Sequence, residues 1–338
     1  MHFKKIGGKI IEGSISEKTW VDINGVKQGM FIKGINKSNP VLLFLHGGPG
    51  MPEIAIARQY PVVLEKFFTV CWWEQRGTGI SFHKDVKPKH ITFENLMNDT
   101  VEVTHYLRRR FKQEKIFLFG HSGGSFLGIQ VCKLNPQLFH AYIGMAQMVN
   151  QLESEKIAYK YMVDEYKKMG NNKMVKKFEK FDLLRRNSLP KGYGSFRDMP
   201  MHELGIGTTH KMRSVITGVF IPVMLYSEYT FVERVNVWRG KYNTQIKAGL
   251  FKQAVETDLS LTIKKLEIPV YFLEGIFDYT CNYAISKQFF KDLDAPIKGF
   301  YTFYESAHSP IFEEPQRASK IITEDILRLQ VGNSDSEV

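Results

Sequence analysis

The chain has 338 residues, of which 43% are hydrophobic, so it is long enough for one large domain with an insertion or for two domains. Its formal net charge of +11 is spread along the chain without a nucleic-acid-binding module, and no apolar stretch approaches the ~18 residues of a membrane span. Nucleic acid and membrane are therefore not expected as partners. Three cysteines without CxxC spacing argue against a structural zinc and favour a reducing, cytoplasmic location.

The first forty residues predict antiparallel strands. These are KIIEGSIS (9–16), TWVDI (19–23) and KQGMFIKG (27–34), and the last two are joined by the turn pair Asn24-Gly25. Short apolar runs then follow, as expected of strands buried on both faces of a parallel sheet, at 41–45, 67–74, 115–120 and 140–149. A helix is predicted at 94–111, between two of these strands. This alternation predicts an α/β fold with a mainly parallel central sheet and helices on both faces.

From residue 151 to about 255 the sequence is helical, polar and rich in Met, Tyr and Lys. Strand patterns return at 268–275 and 299–305. We therefore expect an α/β core built from 1–150 and 256–338. The intervening 151–255 is expected to form a helical cap over the carboxyl end of the sheet, enclosing a pocket.

The nucleophile is predicted from GHSGG, which satisfies G-x-S-x-G between a strand and a helix. Its serine is Ser122, exposed on a strained turn. Ser125 is the rival serine, but Leu127 occupies the place of its trailing glycine, so Ser125 is interpreted as a structural helix residue.

A serine needs a base, and the base needs an orienting acid, in the chain order serine, acid, histidine. Asp278 follows the strand of VYFLEGIFDYT, and Glu274 is the second choice for the acid. His308 follows the last strand, in FYTFYESAHSP. All three lie beyond the carboxyl ends of strands, where open α/β sheets build their sites.

The loop HGGPG at 46–50 follows the first buried strand. It lacks the spacing of a P-loop or of a dinucleotide loop. Beside a nucleophile it predicts half of an oxyanion hole, with the amide of Gly48 preferred over that of Gly47. The second donor is expected to be the amide of Gly123.

Together these motifs resemble the α/β-hydrolase superfamily and, within it, the proline iminopeptidase family of serine aminopeptidases. The resemblance rests on HGGPG, on EQRGTGIS (74–81) for the family's D-Q-R-G-x-G-x-S, on the GHSGGS elbow, on Gly275 to Asp278 and on His308. It covers about two-thirds of the chain. Glu74, His121 and Gly123 depart from the family's Asp, Gly and Trp. The last two flank the nucleophile and bear on substrate preference.

In that family an acidic cap residue holds the substrate's amino group, which the resemblance implies for Glu228 or Glu233, with Glu203 further back. His121 is expected to line the pocket.

The predicted function is a serine hydrolase that releases N-terminal residues, often proline, from small peptides. The alternatives are an esterase or amidase of small substrates and a non-catalytic ligand receptor on the same fold. An epoxide hydrolase would need Asp at position 122. No metal or cofactor is implied, the expected partner is a small molecule or short peptide, and the oligomeric state is left open.

Overall fold

The computed structural model of the protein describes residues 11–335. Its strands are Ile15–Ile23 (β1), Val26–Gly34 (β2), Val41–Leu45 (β3), Thr69–Trp73 (β4), Ile116–His121 (β5), Phe139–Met145 (β6), Val270–Gly275 (β7) and Lys298–Phe303 (β8). They form one eight-stranded sheet in the order β1-β2-β4-β3-β5-β6-β7-β8. The six strands β4-β3-β5-β6-β7-β8 are all parallel to their neighbours. Strands β1 and β2 add an antiparallel edge beside β4.

Helices connect these strands. Those of the core are Ile54–Ala57 (α1), Leu64–Phe67 (α2), Phe93–Phe111 (α3), Gly123–Leu134 (α4), Tyr283–Asp292 (α13), Pro310–Glu313 (α14) and Pro315–Glu324 (α15). Those between β6 and β7 are Gln151–Lys168 (α5), Asn172–Glu179 (α6), Tyr193–Glu203 (α7), Ile221–Leu225 (α8), Phe231–Arg239 (α9), Ile246–Ala248 (α10), Leu250–Val255 (α11) and Leu259–Thr262 (α12). Short 3₁₀ turns lie at Gly79–Ser81, Pro88–His90, Pro136–Leu138, Leu183–Arg185 and Ile326–Arg328, and π-helical turns at Ile216–Phe220 and Gly240–Gln245. Within residues 11–335, no helix combines the length and apolar character needed to cross a membrane.

The amino-terminal hairpin forms where its turn chemistry predicts it. Asn24 and Gly25 both have positive φ, 48° and 73°, which suits a two-residue turn between twisted strands. The first predicted strand, 9–16, is placed wrongly. The ladder begins only at Ile15, and residues 9 and 10 lie outside the described part of the chain.

The parallel strands are mainly apolar, and β3 is apolar throughout, because both faces of the sheet are covered. In β3, Leu43 and Leu45 point into a core shared with α3, α4 and α13, whereas Leu42 and Phe44 point into a core shared with α1, α2 and α15. Alternating side chains therefore fill two layers, and the sheet holds the loops at its carboxyl edge in place.

The helical block after β6 has two parts. Helices α5 to α7 enclose a small core of their own, which includes Tyr159, Phe178 and Tyr193. Further along, Val223 and Val237 belong to the core on one face of the sheet. Contacts from the block reach loops after β4 and β7, through Thr244 Oγ1 to the Gly77 carbonyl and Gln151 Nε2 to the Thr280 carbonyl.

Candidate active site

Ser122 occupies the sharp turn between β5 and α4. Its backbone has a positive φ of 53° with ψ −121°, a conformation that a non-glycine residue rarely adopts. The glycines beside it are required by close packing, since a side chain on Gly120 or Gly124 would run into neighbouring backbone. The sequence GHSGG thus folds into a strained elbow that carries a serine at the carboxyl edge of the sheet.

Asp278 and His308 meet beside this elbow, although the chain separates them widely. Asp278 Oδ2 lies 2.8 Å from His308 Nδ1, and Asp278 is fully buried. The other carboxylate oxygen, Oδ1, accepts the amides of Thr280 and Cys281 at 2.8 and 3.0 Å. These bonds fix the carboxylate, so that it orients the imidazole of His308.

The second choice for the acid lies elsewhere. Glu274 Oε1 accepts the amide of Gln147 and the hydroxyl of Ser286, both at 2.9 Å, and burial raises the pKa of Glu274 well above its ordinary value. The rival nucleophile is also engaged, because Ser125 Oγ donates to the Ser122 carbonyl at 2.6 Å from within α4.

The base lies next to the elbow that carries the nucleophile, since the rings of His308 and His121 have their centroids 4.8 Å apart. Among the hydrogen bonds of residues 11–335, none joins Ser122 Oγ to His308 Nε2. Catalytic hydrogen bonds are often loose before substrate binds. Cys281, on the loop that carries Asp278, is also buried, and burial together with the nearby charge of Asp278 raises the pKa of its thiol well above its ordinary value.

The HGGPG loop lies against the elbow. The amide of Gly47 donates to Glu53 Oε1 at 2.8 Å, so it is already engaged. Gly48 has φ 124°, which only glycine adopts readily, and its amide nitrogen lies close to Gly123. Within residues 11–335 neither the Gly48 nor the Gly123 amide donates a hydrogen bond, and this geometry favours Gly48 over Gly47 as the donor from the loop.

His121 does not present a nitrogen to a pocket, contrary to its expected role as a substrate-binding residue. Its Nδ1 lies 2.7 Å from Glu53 Oε2, and its Nε2 lies 2.7 Å from the carbonyl oxygen of His308. Because a carbonyl only accepts, Nε2 donates there. The side chain therefore holds the backbone of His308 in position.

Glu53 and His121 form a buried ion pair. Burial favours the neutral form of Glu53, but attraction by His121 outweighs it and holds the pKa of that carboxyl below its ordinary value. Burial likewise disfavours the imidazolium of His121, but Glu53 raises the pKa of His121 above its ordinary value.

The acids expected to bind a substrate amine are engaged with other side chains. Glu228 Oε1 is 2.5 Å from Lys33 Nζ on β2, and Glu233 Oε2 is 2.9 Å from Lys18 Nζ on β1. Glu203 accepts the hydroxyl of Tyr166 within the helical block. Glu228 and Glu233 thus tie the block to the antiparallel edge of the sheet, and neither lines the cavity beside the oxyanion loop.

Sequence reasoning missed Glu53. Its only signal was an acidic residue in the otherwise apolar stretch that follows HGGPG. Its partner lies on another strand, and nothing in the spacing of the two residues indicates that they meet.

The amino-acid sequence is similar to a family of known proteins and to one named relative. A family model described as alpha/beta hydrolase fold matches residues 40–211. The "Probable aminopeptidase YbaC" of Bacillus subtilis (strain 168) is 32% identical over 304 residues, which is 89% of this chain and 93% of that protein.

Solved structures share the fold. A proline iminopeptidase-related protein from Thermus thermophilus aligns with a TM-score of 0.57 at 17% identity, covering 92% of this chain and 96% of its own. VinJ aligns with a TM-score of 0.61 at 14% identity, covering 93% and 99%. At such identities the likeness concerns the fold alone.

Proposed function

The chain belongs to the alpha/beta hydrolase fold family, and we propose that it is a serine hydrolase that releases N-terminal residues from small peptides through an acyl-enzyme. The observation that carries the proposal is the 2.8 Å contact between Asp278 and His308 beside the strained elbow of Ser122. A fold alone does not imply an activity, whereas a nucleophile, a base and an orienting acid at one edge of the sheet support one.

The proposed reaction follows from these positions. His308 Nε2 takes the proton of Ser122 Oγ as the oxygen attacks the substrate carbonyl, and then gives that proton to the leaving amine. Asp278 stays ionised and holds Nδ1–H, so that Nε2 is the basic nitrogen. Water, activated by the same histidine, then hydrolyses the acyl-enzyme.

The negative charge that develops on the substrate oxygen would be stabilised by the amides of Gly48 and Gly123. Losing one such donor typically costs ~3 kcal/mol of transition-state stabilisation. Glu53 supports this hole indirectly, since it holds the preceding amide, that of Gly47.

The aminopeptidase reading draws support from the relative of 32% identity that is named a probable aminopeptidase. We propose that the helical block caps the site, since Gly207 of the block accepts the His308 amide. We also propose a cytoplasmic location, because Cys71, Cys132 and Cys281 are all free and buried.

A carboxylesterase is the second candidate, and one observation favours it. Among the described residues, no carboxylate side chain lines the cavity beside the oxyanion loop. An esterase has no substrate ammonium to neutralise, whereas burying that charge without a partner is costly.

One experiment separates the candidates. Proline and alanine naphthylamides, their N-acetylated forms and a short-chain p-nitrophenyl ester are offered to the wild-type protein and to Ser122→Ala, with fluorophosphonate labelling in parallel. We expect labelling and aminoacyl amide turnover, both lost in Ser122→Ala, and loss of turnover on acetylation. Ester turnover alone would identify an esterase, and labelling that persists in Ser122→Ala would remove the serine assignment. Absence of all turnover would favour the receptor.

A further inference from the structure

A small cavity adjoins the oxyanion loop. Its volume is about 40 Å³, and its wall includes the backbone of Gly48 and Gly123. Because one water needs roughly 10–15 Å³ on this measure, the cavity holds only a few non-hydrogen atoms. Most of its remaining wall is apolar and is supplied by Phe93, Leu96, Phe126, Met148, Leu250 and Phe251.

Gln245 contributes an unpaired acceptor to this wall. Its Nε2 donates to the carbonyl of Arg76 at 2.8 Å, which fixes the orientation of the amide, because only the nitrogen can donate. The side chain is almost fully buried, at 1% exposed. Its Oε1 has no hydrogen-bond partner among residues 11–335. A buried carbonyl in this state is rare and calls for a partner.

The other two polar side chains of the wall, those of His46 and Gln75, each form a hydrogen bond with the backbone of the other residue. His46 Nε2 accepts the amide of Gln75 at 3.2 Å, and Gln75 Nε2 donates to the carbonyl of His46 at 3.1 Å. Gln245 Oε1 is thus a fully buried acceptor in this wall that has no partner within residues 11–335 and can take a hydrogen bond from a ligand.

A π-helical turn holds Gln245 against the oxyanion loop. Gln245 ends the π-helical turn Gly240–Gln245, and such turns are rare and occur frequently at functional sites. Thr244 anchors the turn by donating to the Gly77 carbonyl at 2.9 Å. The side chain of Gln245 then lies against Gly50 of the oxyanion loop, where any larger residue at position 50 would overlap it.

We propose that Gln245 Oε1 accepts a hydrogen bond from the terminal amino group of the substrate, and that this cavity selects a small aliphatic first residue. The inference rests on the proposed aminopeptidase function and replaces the acids that were expected for the amine. A neutral amide oxygen does not compensate a buried ammonium as a carboxylate does, so the site favours the uncharged amine. A free α-amine has a pKa of ~8, so turnover of aminoacyl amides increases with pH up to that value.

The first test compares two substrates in Gln245→Met, which keeps the length of the side chain and removes the acceptor. The readout is kcat/KM for alanine p-nitroanilide divided by kcat/KM for p-nitrophenyl acetate, which has no amine. We expect this ratio to fall by roughly three- to ten-fold, the order of a hydrogen bond between uncharged groups. Gln253→Met is the matched control, since Gln253 is an exposed glutamine on α11 outside the cavity wall, and its ratio is expected to match the wild type.

The second test restores a charge. In Gln245→Glu the ammonium form gains a carboxylate partner, so the same ratio becomes flat between about pH 6 and 8, whereas it rises with pH in the wild type. Dividing by the ester value removes the pH dependence of the triad itself. Size is tested with phenylalanine p-nitroanilide, which we expect to be turned over roughly ten-fold or more less efficiently than the alanine substrate.

The outcomes separate this inference from the proposed function. If the wild type cleaves alanine p-nitroanilide and Gln245→Met keeps the wild-type ratio, Gln245 is not the amine ligand and the aminopeptidase stands. If the wild type is labelled by a fluorophosphonate and cleaves only the ester, the aminopeptidase fails and the inference fails with it. Labelling of Gln245→Met at the wild-type rate shows that the variant is folded, so a lowered ratio then supports the inference.

Discussion

Glu53 connects three parts of the candidate site through single hydrogen bonds. It accepts the amide of Gly47 in the oxyanion loop and pairs with His121, which precedes the nucleophile and donates to the carbonyl of His308. The loop, the elbow and the backbone of the base are therefore held by one buried carboxylate. We assign Glu53 and His121 as positioning residues.

Two substitutions of Glu53 separate the contribution of its charge to stability from that of its hydrogen bonds. Glu53→Ala leaves the Gly47 amide and His121 without their partner, and breaking a buried pair costs roughly 3–5 kcal/mol of unfolding free energy. Glu53→Gln keeps an acceptor for Gly47 and can donate to a neutral His121, so we expect a loss of only about 1 kcal/mol. Urea denaturation measures both values. Equal losses in the two variants would contradict this account.

The same pair predicts a pH dependence. The raised pKa of His121 gives stability that is fully present below the ordinary value of 6.5 and is lost as the pH rises through the native pKa. The lowered pKa of Glu53 gives stability that is present above the ordinary value of 4.5 and is lost as the pH falls through the native pKa. The stability difference between the wild type and Glu53→Gln should be largest between these values, and a difference that keeps growing above pH 8 would refute the pairing.

At the scale of elements, the helical block is attached to the antiparallel edge of the sheet by polar side chains. Lys33 on β2 is buried and pairs with Glu228, while Lys18 on β1 pairs with Glu233 at the start of α9. A third tie joins the hydroxyl of Tyr229 to Glu74, whose pKa burial raises to about 8. These contacts orient the block relative to the site.

Glu228→Ala tests this structural role. It leaves the buried ammonium group of Lys33 with only the hydroxyl of Ser16 as a hydrogen-bond partner and with no opposite charge, so we expect a loss of roughly 3 kcal/mol in unfolding free energy. Because Glu228 lies outside the cavity wall, kcat/KM for alanine p-nitroanilide should stay within about two-fold of the wild type. Glu233→Ala breaks the partly accessible ion pair with Lys18, and we expect it to lose only about 1 kcal/mol of unfolding free energy. A large rise in KM of Glu228→Ala at unchanged stability would instead indicate that Glu228 binds the substrate.

In the whole molecule, the helical block is not packed as one unit. Helices α5 to α7 bury their aromatic side chains in a core of their own, whereas Val223 and Val237 belong to the core of the sheet. Stability is distributed in cooperative units of this kind. We therefore expect helices α5 to α7 to unfold locally in a different step from the part of the block that contains Val223 and Val237.

Native-state hydrogen exchange in low denaturant measures this. Amides of α5 to α7 should exchange through an opening of lower free energy than amides of β5, while those of α8 and α9 should follow the sheet more closely. Tyr193→Ala, which removes a fully buried ring from the separate core, should accelerate exchange in α5 to α7 and leave β5 nearly unchanged. Uniform acceleration across the chain would mean that the block and the sheet form a single cooperative unit.

The fold and the motifs of the candidate site could be predicted from the amino-acid sequence. Apolar runs such as 41–45 can be stable only when both faces are covered, and GHSGG requires a sharp turn after a buried strand, so local chemistry was sufficient. The order Ser122, Asp278, His308 followed from the strands that precede each residue.

Which side chains meet across the chain could not be predicted in this way, because it depends on the packing of the whole fold. Glu228 could have faced a substrate or a lysine, and it pairs with Lys33, 195 residues away. Glu53 and His121 are 68 residues apart, and Gln245 bonds to Arg76 over 169. Hydrophobic periodicity indicates which face of an element is buried but not which element will cover it. A polar side chain acquires its partner, its pKa and its role only when that packing is complete.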